Sequence, residues 1–438
     1  MDFSPRPGLS GPAFERVRDR LHQDGRLTFA AFMSEALHGP EGYYTRRPRL
    51  GGADADFFTA PELHPAFGAL LGKLAARLWH ALGRPATFDL VEHGPGTGVL
   101  ARDLLDWSAH AAPDFHQAVH YHLVETSPPL RSLQAETLAA AGRLDDRITW
   151  HSADLPLSIA MGRGPGGGAS SGIILANELI DALPVHLVTT HAGVLRERYV
   201  VLDGDRLGWQ DDAPSTDALP AYFDRLGLLP GEGCLAEVNL QGVDWLERTA
   251  ATLNRGALLL LDYGYPASDL YAPERRHGTL LTYRGHALGS DPLRHVGAQD
   301  ITAHVDFTSL ARAGERGGLE SVGLISQAAL LRRLGLDAYL RRLDTAPISA
   351  LDHDANRRAM LALIEPDGLG RVQALLQTRG LSAFDPFVST ASDDDAADPS
   401  WLPLLRPGQM RLPGLLEAEG FLDLDAQWQE LFEEDDAQ

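Results

Sequence analysis

A chain of 438 residues exceeds one ordinary domain, so one enlarged domain or two closely packed ones are expected, and 44% hydrophobic residues suffice for a large core. The formal net charge of −22 argues against a general nucleic-acid binder, because phosphates would be repelled, while a cationic substrate stays compatible with it. Cys234 is the single cysteine, which excludes an internal disulfide or a cysteine metal cluster and reads as a small buried apolar residue in a reducing compartment.

No apolar run approaches the roughly 20 residues of a membrane span, so no membrane insertion is expected. Met1 to Pro5 shows no basic region followed by an apolar one, and a cytoplasmic location is the expectation. Part of the acidity sits in Asp393 to Asp395 and Glu433 to Asp436, as a solvated tail would place it.

Residues 12–38 carry Phe14, Val17 and Leu21, then Phe29, Phe32, Met33 and Leu37, at the spacing of two amphipathic helices separated by Gly25. Thr59, Pro61 and Glu62 then open a further helix that runs on through Phe67, Leu70 and Leu71. Pro61 and Glu62 suit a first helical turn, and Thr59 reads either as its cap or as a cofactor contact.

Next, the apolar run from Phe88 to Val91 leads into Glu92, three alternate glycines (Gly94, Gly96, Gly98) and a helical pattern through Leu100, Leu104 and Leu105. This is strand, tight turn, helix. Glycines let the chain turn sharply and let a ligand approach bare backbone, while the helix start offers unpaired N–H groups. The spacing E-x-G-x-G-x-G differs from the dinucleotide fingerprint G-x-G-x-x-G. A carboxylate at the strand end would repel a pyrophosphate but favours the sulfonium and amino group of S-adenosylmethionine, so Glu92 is expected to head a negatively charged pocket rim. A glycine turn with no ligand is the alternative.

Strands and helices continue in alternation, as a doubly wound α/β sheet requires. Tyr121 to Val124 ends in Glu125, placed to hold ribose hydroxyls. Ile148 to Ala153 reads as a third strand ending at Asp154, where a carboxylate could meet the adenine amino group. Ile173 to Ala176 then delivers Asn177 and Glu178 to the carboxyl edge of the sheet, where ligands of this architecture sit. The glycines of 162–172 precede a strand and read as a surface loop. Leu187 to Thr190 and Arg196 to Leu202 predict an added hairpin, Trp245 to Leu253 a helix, and Leu258 to Leu261 a fifth strand ending at Asp262, Tyr263 and Gly264. Residues 278–306 show little periodicity and read as a functional loop. Signals resume at Leu324 and Ile325, Leu330 to Leu340 and Arg357 to Leu363.

Six motifs stand in order: Phe58 to Glu62, Glu92 to Gly98, Asn177 to Pro184, Leu261 to Gly264, Gly278 to Leu280 with His286, and His304 to Phe307. Over roughly residues 25–340 they resemble the MidA family, whose mitochondrial members are protein arginine methyltransferases that assist assembly of respiratory complex I. The resemblance implies a Rossmann-like class I methyltransferase with a mostly parallel doubly wound sheet, S-adenosylmethionine as cofactor, and a protein substrate, possible subunits of a respiratory complex included. It divides the chain into a helical N-terminal cover (1–80), a core (81–340) with insertions at about 185–255 and 265–310, and a C-terminal helical region with an acidic tail (341–438). The segment from 385 onward has no counterpart in the family.

Methyl transfer is an in-line displacement that depends mainly on positioning. If the acceptor is a guanidinium, two cations must meet, and carboxylates offset their repulsion, with a bidentate acid partner preferred. Glu178 and Asp181, just past the fourth strand, are the candidate pair, with capping of the next helix or bonding of neighbouring backbone as the alternative. Asp262, Tyr263 and Asp306 are candidates for the substrate wall, and His93, His286 and His304 read as structural before catalytic. No H-E-x-x-H or paired-cysteine spacing appears, so no metal is expected. An arginine N-methyltransferase leads, ahead of a small-molecule N- or O-methyltransferase and a non-catalytic assembly factor that retains the pocket.

Overall fold

The computed structural model describes residues 11–46, 59–152, 171–284, 287–381 and 401–406. In chain order it begins with α1 (Pro12–Asp24), a short strand β1 (Leu27–Thr28), α2 (Phe29–His38), the single turn α3 (Ala60–Leu63) and α4 (Ala66–Ala81). The first half of the central sheet follows, as β2 (Phe88–His93), α5 (Val99–Ala111), α6 (Pro113–Ala118), β3 (Val119–Val124), α7 (Pro128–Ala140), β4 (Ile148–His151) and β5 (Ser171–Asn177). An inserted part contains β6 (His186–His191), β7 (Val194–Asp203), β8 (Arg206–Asp212), α8 (Ala218–Leu226) and β9 (Leu235–Val238). Then come α9 (Leu240–Thr252), β10 (Arg255–Asp262), β11 (Gly264–Tyr265), α10 (Ala267–Leu270), β12 (Leu281–Arg284), β13 (Ala287–Gly289), β14 (Asp300–Thr302) and β15 (Val305–Asp306). The last elements are α11 (Phe307–Arg316), β16 (Glu320–Ser326), α12 (Gln327–Leu334), α13 (Leu336–Leu343), α14 (Ala350–Ala362) and β17 (Gln373–Arg379).

The central sheet has the order β16-β17-β10-β5-β2-β3-β4. β10, β5, β2, β3 and β4 run parallel, and β17 is antiparallel to both of its neighbours. Parallel strands are covered on both faces and read as apolar runs. Along β2, Phe88 and Leu90 enter a core with α4, α5 and α12 to α14, while Val91 faces the core formed with α8, α9 and α11. The two-residue alternation of a strand makes this division.

Three parts of the sequence reading change. The C-terminal region expected to be helical also supplies β17, which lies inside the sheet between β10 and β16. Residues 278–306, read as a loop, form the three-stranded antiparallel sheet β13-β12-β14, whose strands are too short and polar to display a period. The N-terminal cover divides: α1 and α2 pack through Phe14, Phe32 and Met33 on the sheet of β1, β6, β7, β8 and β9, whereas α4 packs against α5 and the central sheet.

The predicted hairpin of β6 and β7 is present, paired antiparallel. Gly335, at φ 110, interrupts the pattern of Leu330 to Leu340 and separates α12 from α13, a left-handed position that glycine occupies without steric cost. The third strand ends at His151; Asp154 and the glycines 162–170 lie outside the described residues.

Candidate functional site

The turn between β2 and α5 carries Gly94, Gly96 and Gly98 at φ 65, 52 and 82. A side chain at Gly94 would meet Leu179 Cδ1 at 2.9 Å and one at Gly98 would meet Gln134 Cα at 3.1 Å, but above Gly96 nothing lies within 4 Å. Two of the glycines therefore serve packing, and the middle one leaves bare backbone beneath open space. Gln134 on α7 fixes the turn: its Nε2 donates to the Gly96 carbonyl at 2.9 Å and to Glu125 Oε2 at 3.2 Å, while its Oε1 accepts from Trp150 Nε1 at 2.9 Å. The sequence reading did not single out Gln134. Its signal was a polar residue between Leu130 and Leu138 at four-residue spacing, in the apolar stripe of the helix.

Glu62 adds a second tether, because the Thr97 hydroxyl donates to its Oε1. Expected only to favour a helix start, Glu62 also clamps α3 onto the glycine turn. Thr59 heads α3 without a side-chain capping bond, so its reading as a cap is not supported.

Glu92 is buried, and Tyr121 donates its hydroxyl proton to Glu92 Oε2 at 2.6 Å. Burial pushes this carboxyl up to about 7, against the smaller lowering effect of Tyr121. The expected charged rim residue is thus an internal group that is partly protonated at neutral pH. Glu125 accepts from Ser127 N at 2.8 Å and from Gln134, and burial raises it as well. Ser127 in turn donates to the Tyr44 carbonyl at 3.2 Å, which brings the turn after α2 to the same edge. His93 accepts from Trp245 Nε1 at 3.3 Å through Nδ1, and burial holds it down to about 4, so the ring is neutral.

The ends of β5 and β10 gather carboxylates. Glu178 sits at φ 49, a left-handed conformation rare outside glycine, and its Oε1 accepts from Asn177 Nδ2 at 3.1 Å and Ala60 N at 3.4 Å. Asp262 accepts from Ile180 N at 2.8 Å and Asp181 N at 3.3 Å through Oδ2, and from Tyr263 N at 2.8 Å through Oδ1. Asp181 has its backbone carbonyl held by Ala303 N at 3.0 Å, while its Oδ1 is shielded from water and has no hydrogen-bond partner, as is Asn177 Oδ1. No helix directly follows β5, so neither acid caps a next helix, while the bond from Ala60 N to Glu178 Oε1 keeps the backbone-bonding alternative for Glu178.

Burial, then the charge of Asp181, pushes Glu178 up to about 8; burial brings Asp262 to about 7. Asp181 is raised well above the usual carboxylate range by burial and by Asp262 and Asp300. No described arginine or lysine forms an ion pair with Glu178, Asp181 or Asp262. Tyr44, Tyr263 and Tyr283 complete the surroundings, with the Tyr44 hydroxyl bonded to Asp300. Sequence reading missed Asp300 and Tyr44, which arrive from segments with no strong local pattern.

Asp306 is a correction. Its Oδ1 accepts from Thr308 N at 2.9 Å and Ser309 N at 3.2 Å, and its Oδ2 from Ser309 Oγ at 2.5 Å and Tyr222 OH at 2.6 Å. Capping α11 consumes this carboxylate, which leaves nothing for a substrate wall. His304 stacks on Tyr263 with centroids 6.4 Å apart, whereas His286 lies outside the described residues. Among the described residues no group of three or more His, Cys, Asp or Glu is arranged to hold a metal ion, and no helix is long and apolar enough to cross a membrane.

Comparison with known proteins adds an independent line. A family profile of S-adenosyl-L-methionine-dependent methyltransferases matches residues 70–325. The mouse protein arginine methyltransferase NDUFAF7, mitochondrial, is 30% identical over 355 residues, covering 76% of each chain. Its human counterpart is 30% identical over 362 residues, covering 76% of this chain and 75% of that one. A Burkholderia thailandensis protein solved with S-adenosyl-homocysteine bound superposes with a TM-score of 0.75 at 29% identity, covering 87% of this chain and 97% of that one. The relatives are named as mitochondrial proteins, which overturns the expectation of a purely cytoplasmic location.

Proposed function

On the footing that this chain belongs to the family of S-adenosyl-L-methionine-dependent methyltransferases, we propose that it methylates an arginine nitrogen of a partner protein. The enzyme class, the Rossmann-like fold and the cofactor belong to that family. The arginine and the partner are our reading, supported by the names of the relatives and by the ordered motifs that resemble the MidA family.

The residues present fit the cofactor. Open space over Gly96, the amide end of the thirteen-residue helix α5 and a partnerless Asn177 oxygen at the edge of β5 provide what a nucleoside with an amino-acid tail needs. S-adenosylmethionine supplies, when bound, an electrophilic methyl group on a positively charged sulfur. In this reading the turn of Gly94, Gly96 and Gly98 admits it over the open space at Gly96, Glu125 accepts its ribose hydroxyls, and Asn177, Glu92 and Thr59 line the side of its amino-acid end. Asp154, beyond the described residues, stays assigned to the adenine amino group by its place in the sequence.

The observation that carries the arginine assignment is the uncompensated acid cluster at the ends of β5 and β10. Asp181 is buried and Glu178 half-buried, neither with a described basic partner, and a guanidinium is a planar cation whose N–H fork suits them. Asp262 holds the turn that bears Asp181 and contributes charge, while Tyr263 gives the pocket an aromatic wall. Excluding water from this chamber strengthens every electrostatic contact within it.

Incubation with methyl-labelled S-adenosylmethionine and cell extract tests the reading. A labelled protein band is expected, lost in Glu178→Ala. Label confined to the low-mass fraction would assign the activity to a small molecule instead.

A further inference from the structure

Asp181 stands apart from the other acids of the chamber. Asp262 is occupied by three backbone N–H groups and Glu178 by two donors on one oxygen. Among the described residues, Asp181 is the carboxylate that keeps a water-shielded oxygen without any partner. Such an oxygen costs on the order of 1–3 kcal/mol, and a fold that retains it holds it ready for another group. The backbone around it is fixed from both sides, its N–H by Asp262 and its carbonyl by Ala303 N. The acceptor is therefore both free and positioned.

We infer that Asp181 Oδ1 accepts the proton that the substrate nitrogen sheds during methyl transfer, an inference that rests on reading the substrate as a cationic nitrogen. The nitrogen gains a carbon and loses a proton. The electron pair of the broken sulfur–carbon bond stays on sulfur, which becomes neutral, and the proton moves to Asp181 and then to water as product leaves.

The same geometry sets the resting state. Facing Asp181 are Glu178 on its own turn, Asp262 and Tyr263 at the end of β10, Tyr283 on β12, Asp300 on β14 and Tyr44 after α2. None of these groups is a cation, and burial together with the charges of Asp262 and Asp300 raises the Asp181 carboxyl well above the usual carboxylate range. The arriving substrate cation favours the carboxylate form, any proton displaced passing to solvent, and that carboxylate takes the proton shed in methyl transfer.

The test uses the full-length enzyme with labelled S-adenosylmethionine and extract protein. Asp181→Asn is expected to lower protein labelling by about 100-fold or more while S-adenosylhomocysteine affinity, measured by calorimetry, changes by less than about threefold. Added formate should restore labelling to Asp181→Ala in proportion to its concentration, since a small carboxylate can take the missing place. Infrared difference spectra of wild type against Asp181→Asn, recorded without cofactor at neutral pH, should show the carbonyl stretch of one protonated carboxyl. Labelling by Asp181→Asn at the wild-type rate, no rescue by formate, or no such band would overturn the inference. A wild-type enzyme that labels no arginine at all would instead remove the proposed function beneath it.

Discussion

Gln134 Nε2 lies 2.9 Å from the carbonyl oxygen of Gly96, so one side chain of α7 sets the height of the backbone over which the cofactor is expected to lie. The same amide is bonded to Glu125 and to Trp150, and the residue is fully buried. Gln134→Ala leaves three polar partners without their bond. A loss of at least about 3 kcal/mol in unfolding free energy is expected, on the scale of about 1–3 kcal/mol for each unsatisfied buried group. S-adenosylhomocysteine affinity should fall in parallel. A thermal melt and a calorimetric titration check both; unchanged affinity would detach Gln134 from the site.

Glu92→Gln should separate stability from binding. Its carboxyl stands at about 7 in the folded protein against 4.5 ordinarily, so the folded state holds a proton that the unfolded chain releases. The stability this group contributes is complete below about pH 4.5 and is lost as pH rises through about 7. Glutamine keeps an acceptor for Tyr121 and carries no such penalty. The variant should match wild type near pH 5 and be more stable at pH 8 by up to about 3 kcal/mol, from about 2.5 units at 1.36 kcal/mol each. Cofactor affinity should weaken. Urea unfolding at the two pH values measures the difference, and a gain at pH 5 equal to that at pH 8 would contradict the assignment.

Gly96→Arg should fold and fail to bind. Nothing within 4 Å obstructs a first side-chain atom there, and the left-handed backbone adds roughly 1–2 kcal/mol of strain, which a large core can absorb. The guanidinium would then fill the space above the turn. Calorimetry with S-adenosylhomocysteine should give no heat while circular dichroism stays native; binding at wild-type affinity would place the ligand elsewhere.

Asp306→Ala discriminates a structural acid from a functional one. Removing the cap of α11 should cost about 1–2 kcal/mol in stability, and methyl transfer at a temperature well below the melt should remain. Loss of transfer in a fully folded variant would return Asp306 to the substrate wall.

How much of this was legible in the sequence follows from where each residue gets its position. The glycine turn, Glu125 and the Glu178 to Asp262 acids lie at ends of apolar strands, where a local pattern fixes both element and edge. β17 has no such marker, because its place between β10 and β16 depends on pairing with residues far away in sequence. Asp306 looked available because a cap and a substrate carboxylate share one residue type, and only Tyr222 and Ser309 reveal which it is. Glu92 was read at the right end of β2, but its burial, which raises the carboxyl, and its bond from Tyr121 are properties of the packed sheet. Asp300 reaches the acids on β14 and Tyr44 in the turn after α2, a relationship of tertiary structure alone.

The central claim is that an acid chamber beside the cofactor turn presents an arginine nitrogen for methylation. Extract from a strain lacking this protein, incubated with the purified enzyme and labelled S-adenosylmethionine, is hydrolysed and the labelled amino acid identified by mass spectrometry. The account predicts methylarginine, present with the wild-type enzyme and absent with Glu178→Gln. Label in any other amino acid, or methylarginine formed equally by Glu178→Gln, would contradict it.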